Sequence, residues 1–227
     1  MQDLFLTSKA YTRLWEGTLV TLEVFILAVA LGTVLSLIFG VGRLSSRRWV
    51  RALSSVYVEF ARGISAIILL TWVFYALPQL LGIRLSPLIA GVIALGANMG
   101  AYGAEVVRGG IQAVPQGQSE ATIALNMTDS QRLRHVILPQ AIPVILPPFG
   151  NLMIEILKGT ALVALITLSD LNFEMDKLRT NRVVIGGAST PVLFLNGLII
   201  YFVLAQVIST IFGIMERRVL KSFGGAR

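Results

Sequence analysis

Apolar residues fall in five long runs, at 17–41, 54–81, 87–109, 139–157 and 191–215, separated by polar stretches. Each run supplies close to the roughly 20 helical residues that cross a hydrocarbon core. A helix lying on a soluble core would interrupt such runs with a polar stripe at helical spacing. The pattern predicts an all-α integral membrane protein of about five transmembrane helices, forming a single domain over 1–227. Tyr11 and Trp15 precede the first run, where aromatic side chains favour the membrane interface. A basic loop, Arg43-Leu-Ser-Ser-Arg-Arg-Trp-Val-Arg51, follows it, and the second run carries Glu59 and Arg62 in its first turns. Pro87 suits the first position of the third helix. Between the last two runs, 159–168 is apolar but too short to cross. It reads as a re-entrant or partly buried piece, tolerated at membrane depth only when packed on protein. The stretch 169–190 is polar and contains Gly186-Gly187.

The polar passage 114–138 has its own helix punctuation. Pro115 can open a helix because its missing N–H would be unpaired there anyway. Glu120 lies near the positive end of the helix dipole. Ala121, Ile123, Ala124 and Leu125 make a small apolar surface, and Asn126 stands where a left-handed terminator is expected. Thr128-Asp-Ser-Gln131 fits a capping box. The second short helix then runs through Arg132 and Arg134 until Pro139 disfavours helical geometry at Leu138. A helix, a sharp turn and a second helix, with small residues at the tip of the first, suit insertion into a partner's groove. The plainer alternative is an amphipathic linker on the membrane surface, which has no need of two helix boundaries within a dozen residues.

Composition agrees with a membrane assignment. Of 227 residues, 55% are hydrophobic and 14% charged, and the mean hydropathy is +0.78. A soluble domain carries about a quarter charged residues. The net charge of +7 and pI near 10.2 do not require nucleic acid, because cytoplasmic loops of membrane proteins collect Lys and Arg. With five spans, Arg43, Arg47, Arg48, Arg51, Arg62, Arg108, Arg132, Arg134, Arg217, Arg218, Lys221 and Arg227 fall on one side. Lys9, Arg13, Arg84, Lys177, Arg179 and Arg182 fall on the other, with Lys158 unassigned. This asymmetry predicts a cytoplasmic polar loop and C-terminus and an outside N-terminus. The first run lacks a small-residue cleavage site and reads as a retained span. Cysteine is absent, which removes disulfides and thiolate metal sites, and the lone His135 is given no metal or catalytic role.

The segment Glu120-Ala-Thr-Ile-Ala-Leu-Asn126, followed by Val136-Ile-Leu-Pro-Gln-Ala141, resembles the EAA loop of ABC importer permeases. The likeness extends to Ala101-Tyr-Gly-Ala-Glu-Val-Val-Arg-Gly-Gly-Ile-Gln-Ala-Val-Pro-Gln-Gly117, Glu59-Phe-Ala-Arg-Gly63 and Leu157-Lys-Gly-Thr-Ala-Leu162. Together these are similar to the polar amino acid uptake branch, the histidine/glutamine/arginine/opine type. The resemblance implies the type I importer permease fold in a bacterial inner membrane. It also implies three partners: an ABC ATPase dimer, a second permease subunit of the same or a homologous chain, and an extracytoplasmic solute-binding protein. Glu120, Ala121, Thr122, Ala124, Leu125 and Asn126 are then the residues that couple to the ATPase. The chain departs from the family where Thr122 replaces the usual Ala and Asn126 the usual Gly. Gly63 is followed by Ile64-Ser65-Ala66, not Thr-Pro. Lys158 is followed by Gly159-Thr160-Ala161, not Asp-Thr-Ser. The missing Asp removes an acid that could meet a substrate ammonium and disfavours a purely cationic solute. Polar amino acid, opine and ectoine-like zwitterion stay open.

Polar residues inside the runs are candidates for the solute path. Glu105 and Arg108, and Glu155 and Lys158, share helical faces at i,i+3. Ionisable groups at membrane depth face a partner or a water-filled path. The first pair reads as a structural ion pair. Glu155 and Lys158 fit either role. Asn98 and Tyr102 stand one turn apart and could line a path, although Asn98 could equally bond between helices. Thr160 completes the set of pathway candidates. Gly91, Gly96, Gly100 and Gly103 read as close-packing positions, and Pro139, Pro143 and Pro147 as bends on one helical face.

No Gly-x-x-x-x-Gly-Lys-Ser/Thr loop is present, so ATP binding by that device and an enzymatic role are not expected, and no cofactor is implied. An ATP-independent secondary transporter or channel is the rival reading. It calls for an internal repeat or a coupling-ion carboxylate at mid-membrane, and neither is visible.

Overall fold

The computed structural model describes residues 6–181 and 189–224, and the regular elements among these are all helices. Gly186-Gly187, Arg182 and Arg227 lie outside the described residues. Helix α1 spans Ser8–Gly42 and is capped by Thr7, whose hydroxyl accepts the Ala10 N–H at 3.2 Å. Helix α2 is Arg48–Gly63, α3 is Ala66–Thr71 and α4 is Leu77–Leu81. Helix α5 is Pro87–Gln112, opened by Pro87 and capped by the Ser86 hydroxyl. The polar loop holds α6, Gln116–Ala124, and α7, Asp129–Arg132. Then come α8, Leu138–Gly159, a 3₁₀ segment Thr160–Ile166, α9, Leu171–Thr180, and α10, Thr190–Gly224.

Four helical stretches, Ser8–Gly42, Pro87–Gln112, Asp129–Ile166 and Thr190–Lys221, are long and apolar enough to cross a membrane. A fifth crossing exists where the bent pair Arg48–Gly63 and Ala66–Leu81 counts as one. The expected single span 54–81 is therefore not one helix. The two halves meet at 105°, because Ile64 and Ser65 both adopt extended backbone between them.

Helices α1 and α5 run parallel and form the centre of the bundle. Their approach is set by small residues: a Cβ at Gly103 would lie 2.0 Å from the Ser36 hydroxyl oxygen, and one at Gly40 would lie 2.8 Å from the Ala104 carbonyl. Gly96 and Gly100 meet Leu31 and Leu35 of α1 in the same way, and Gly91 meets Val163 of the 3₁₀ segment. The core around them is built from Val24, Ala28, Leu70, Ala94, Leu95, Met99, Leu157 and Val163. Helix α8 packs antiparallel on α5 and α10, with Gly150 against Phe212.

Two wide π turns interrupt the helices, at Trp72–Ala76 and Leu133–Ile137. Each is followed by Leu-Pro. In each, the leucine N–H, of Leu77 or Leu138, bonds five residues back, to Trp72 or Leu133. Proline has no N–H and its ring clashes with the carbonyl four residues earlier, so widening the preceding turn makes room for Pro78 and Pro139. Pro139 does not break the chain into separate helices, as the sequence suggested. Instead α7, the π turn, α8 and the 3₁₀ segment follow one continuous helical path.

The segment 159–168 packs inside protein as expected, with Val163 and Ile166 fully buried. Thr167 ends it in the left-handed region at φ 62°. Asp170 then caps α9 by accepting the Phe173 N–H at 2.9 Å. Helix α9 lies over α1, where Thr21 accepts the Leu171 N–H at 3.1 Å. A second apolar cluster of Leu6, Ala10, Leu14, Leu171, Met175, Leu178 and Leu193 closes this end of the bundle.

Candidate functional site

The loop between α5 and α8 stands clear of the bundle. Its first helix ends in a left-handed residue: Asn126 has φ 53°. The Met127 N–H donates to the Thr122 carbonyl at 3.0 Å and the Asn126 N–H to the Ile123 carbonyl at 2.9 Å. This is the paired closure of a Schellman motif, and it satisfies carbonyls the helix would leave free. Asparagine tolerates the left-handed region better than most residues, which is how Asn126 serves where glycine is usual. Two residues on, the Gln131 N–H donates to the Thr128 hydroxyl at 3.3 Å, and the Thr128 N–H to the Gln131 side-chain carbonyl at 2.9 Å. The capping box expected from the sequence is thus closed in both directions. An ion pair, Asp129–Arg132 at 2.9 Å, bridges α7.

Glu120, Ala121, Ala124, Leu125 and Asn126 are all exposed. Thr122 is not: it is 3% exposed, and its hydroxyl donates to the Ser119 carbonyl at 2.7 Å. Of the six candidate coupling residues, Thr122 therefore holds the helix from its inner face. Ile123, counted in the apolar surface but not among those six, is 60% exposed beside Leu125 at 73%. A Gln140–Gln118 hydrogen bond of 3.0 Å ties α6 to the start of α8. Behind the loop, a cavity of about 650 Å³ opens between the ends of α1 and α5, bordered by Ser45, Gln112, Ser119, Asp129 and Arg132.

Asn98 and Tyr102 both reach the bent end of α2. The Asn98 amide donates to the Ala61 carbonyl at 3.2 Å and the Tyr102 hydroxyl to the Arg62 carbonyl at 3.4 Å. A third strut, the Tyr57 hydroxyl to the Ala97 carbonyl at 2.7 Å, runs the other way. The last carbonyls of a helix have no partner within it, so these side chains stabilise the break at Gly63. Of the two readings open for Asn98, the structure displays the interhelical bond.

Beside this break sits a carboxylate among arginines. Glu105 pairs with Arg43, with Arg108 at 2.8 Å and with Arg62 at 4.0 Å, and Arg43 also reaches Glu59 at 3.5 Å. The Arg62 guanidinium lies 5.3 Å from the centre of the Tyr102 ring. The sequence showed only Glu105–Arg108; Arg43 and Arg62 arrive from α1 and α2 by tertiary packing.

Glu155 and Lys158 are exposed on α8, and among the described residues neither forms an ion pair. Lys158 borders a shallow cavity of about 290 Å³ with Tyr201, Gln206 and Ser209 of α10. Thr160 is fully buried, and its hydroxyl donates to the Leu157 carbonyl at 2.6 Å at the start of the 3₁₀ turn. Sequence reasoning missed Asp170, which is fully buried. Its desolvation pushes the carboxyl up to about 6, against the pull of N–H groups at Phe173 and Asn172. The available signal was an Asp placed just before Leu171, Met175 and Leu178, apolar positions at helical spacing.

Residues 32–221 match the family described as "Binding-protein-dependent transport system inner membrane component". Among curated proteins, the probable amino-acid ABC transporter permease protein y4tF of Sinorhizobium fredii is 43% identical over 219 residues, covering 94% of this chain and 90% of its own. The L-cystine transport system permease protein TcyB of Bacillus subtilis is 33% identical over 202 residues, covering 89% and 84%. A solved structure of an amino acid ABC transporter with histidines superposes with a TM-score of 0.81 at 34% identity, covering 92% of this chain and 94% of that one. The chain belongs to the binding-protein-dependent inner membrane component family and is a permease subunit of an ABC importer.

Proposed function

We propose that this subunit forms half of the translocation pathway for a polar amino acid or related zwitterionic solute, with α6 seated in a cleft of an ABC ATPase. The observation that carries this reading is the exposed tip of α6, where Ala121, Ala124 and Asn126 leave room for a groove to close and Ile123 and Leu125 supply apolar anchors. Closure of the ATPase dimer around ATP pulls on α6. The Schellman turn and capping box transmit that pull to α7 and, through the continuous helical path, to α8. A solute-binding protein delivers the solute on the far side, and a second permease subunit completes the path. The loop lies in the cytoplasm of a bacterial cell and the N-terminus outside the inner membrane. The amino-acid specificities of the relatives support the solute class, and the absence of Asp after Lys158 favours a zwitterion over a cation.

The test is Ala121→Arg, assayed in proteoliposomes with the ATPase and binding protein. A guanidinium at the tip prevents docking. Uptake and solute-stimulated ATP hydrolysis are expected to fall to background, while membrane insertion and thermal midpoint stay unchanged. Uptake at the parent rate would refute the docking role.

A further inference from the structure

Helix α2 has three distinct faces. Ser54, Val58 and Ala61 are buried against the bundle. Arg48, Arg51, Ser55, Glu59 and Arg62 form a polar stripe at spacings of three and four. Trp49, Leu53, Val56 and Phe60, also at spacings of three and four, form an apolar stripe that is 62–89% exposed. At 100° per residue the two stripes lie roughly 130° apart, and the apolar one is roughly 16 Å long. Arg47, Arg48 and Arg51 cluster at its start beside Trp49, all exposed. Among the described residues, none of the three arginines has a carboxylate partner. Arg51 donates to the Ser45 carbonyl at 3.0 Å, and the Ser45 hydroxyl accepts the Arg47 N–H at 3.2 Å, which orders the loop carrying them. Arg43 differs, since it is consumed by Glu105 and Glu59.

We propose that α2 is an interfacial anchor for anionic phospholipid. Trp49, Leu53, Val56 and Phe60 enter the acyl region, and the guanidinium groups of Arg47, Arg48 and Arg51 hold the phosphodiester headgroups. Two features select a lipid surface over a protein partner. The aromatic side chain stands where the basic cluster meets the apolar stripe, the arrangement of interfacial helices. The three cations match the negative charge of a lipid leaflet and add their attraction at its surface. The anchor also has a route inward. Glu59 and Arg62 on the polar stripe enter the Arg43–Glu105 cluster, and the end of α2 is held by Asn98 and Tyr102. Headgroup charge therefore acts on the same helix whose bend sits beside the candidate path.

The experiment uses the full chain assembled with its ATPase in nanodiscs. In a Trp15→Phe, Trp72→Phe background, with the ATPase and the nanodisc scaffold protein in tryptophan-free form, Trp49 is the sole tryptophan. Its fluorescence is read in phosphatidylcholine brominated along the acyl chains, and association of spin-labelled phosphatidylglycerol is compared with spin-labelled phosphatidylcholine. Strong quenching of Trp49 is expected, with a preference for phosphatidylglycerol of roughly tenfold that R47Q/R48Q/R51Q abolishes while quenching persists. Persistent quenching shows that the triple variant keeps its fold. Absence of quenching in the parent means a second permease copy or the ATPase covers Trp49, and overturns the proposal. So does an unchanged lipid preference in the triple variant. Displacement of the labelled lipid by inorganic phosphate at fixed ionic strength would assign the arginines to a free anion and also overturn it.

Discussion

Asp170 is wholly buried, and its Oδ2 has no hydrogen-bond partner among the described residues, like the Tyr201 hydroxyl. Its Oδ1 caps α9 through the Phe173 N–H, so one carboxyl group carries a structural bond and an unmet desolvation cost. Burial raises it from 3.8 to about 6, and the Glu174 carboxylate one turn on adds to the push. The sign follows directly. A folded value above the unfolded one means the neutral acid is favoured in the fold, so this contribution is complete below about pH 4 and is lost as pH rises through about 6. The swing is about 3 kcal/mol at most. Asp170→Asn keeps an oxygen for the cap and removes the titration. The variant's thermal midpoint should exceed the parent's at about pH 7.5 and converge with it below about pH 4. Equal midpoints at all pH values would show that Asp170 is solvated. At this scale the sequence was readable wherever a residue acts on its own backbone. Asn126 and the Thr128–Gln131 box fell in place because capping needs only neighbours within four positions. Asp170 follows the same local rule as a cap, but its burial depends on α1 at Thr21 and α10 at Tyr201 coming in from distant segments, and no local pattern announces that.

Elements were legible by length and hydropathy and illegible in their bends. The spans at 17–41, 87–109 and 191–215 each lie inside one helix. The stretch 54–81 looked equally continuous, yet it turns through 105°, since an extended Ile64-Ser65 step is stabilised by side chains of α5 that a local reading does not see. Pro139 presented the opposite problem. Proline ends most helices, but a π turn absorbed it and kept α7 in line with α8. Replacing it restores an N–H and removes the ring clash, so the turn can tighten to α geometry. That removes one residue from the turn and rotates α6 and α7 about the α8 axis by roughly 100°. Pro139→Ala is expected to leave the thermal midpoint unchanged or slightly higher while solute-stimulated ATP hydrolysis falls severalfold. Unaltered stimulation would mean that the phase of this helix does not matter to coupling.

For the molecule as a whole, the absence of cysteine makes sidedness directly measurable. Ser130, on α7, and Ser8, at the start of α1, are both exposed and stand at opposite ends of the bundle. With the loop inside and the N-terminus outside, Ser130→Cys should react with an impermeant maleimide only in inverted vesicles, and Ser8→Cys only in intact cells. The reverse labelling would discard the orientation drawn from basic-residue asymmetry. The architecture was readable because membrane crossing and helix capping are written in contiguous residues, and the family because 120–126 and 136–141 resemble a known loop. The Glu105 cluster and the surroundings of the pathway candidates were not, because they are assembled by three or four helices meeting. One consequence concerns reach. The stretch Asp129–Ile166 is a helical path of 38 residues that begins within the polar loop and finishes against α9. At about 1.5 Å per residue it is roughly 57 Å long, and a swing of about 10° about one tip sweeps the other through roughly 10 Å. A small rotation imposed at the Asp129 tip is thus geared up, by length alone, to a sweep the size of an amino acid at the other end.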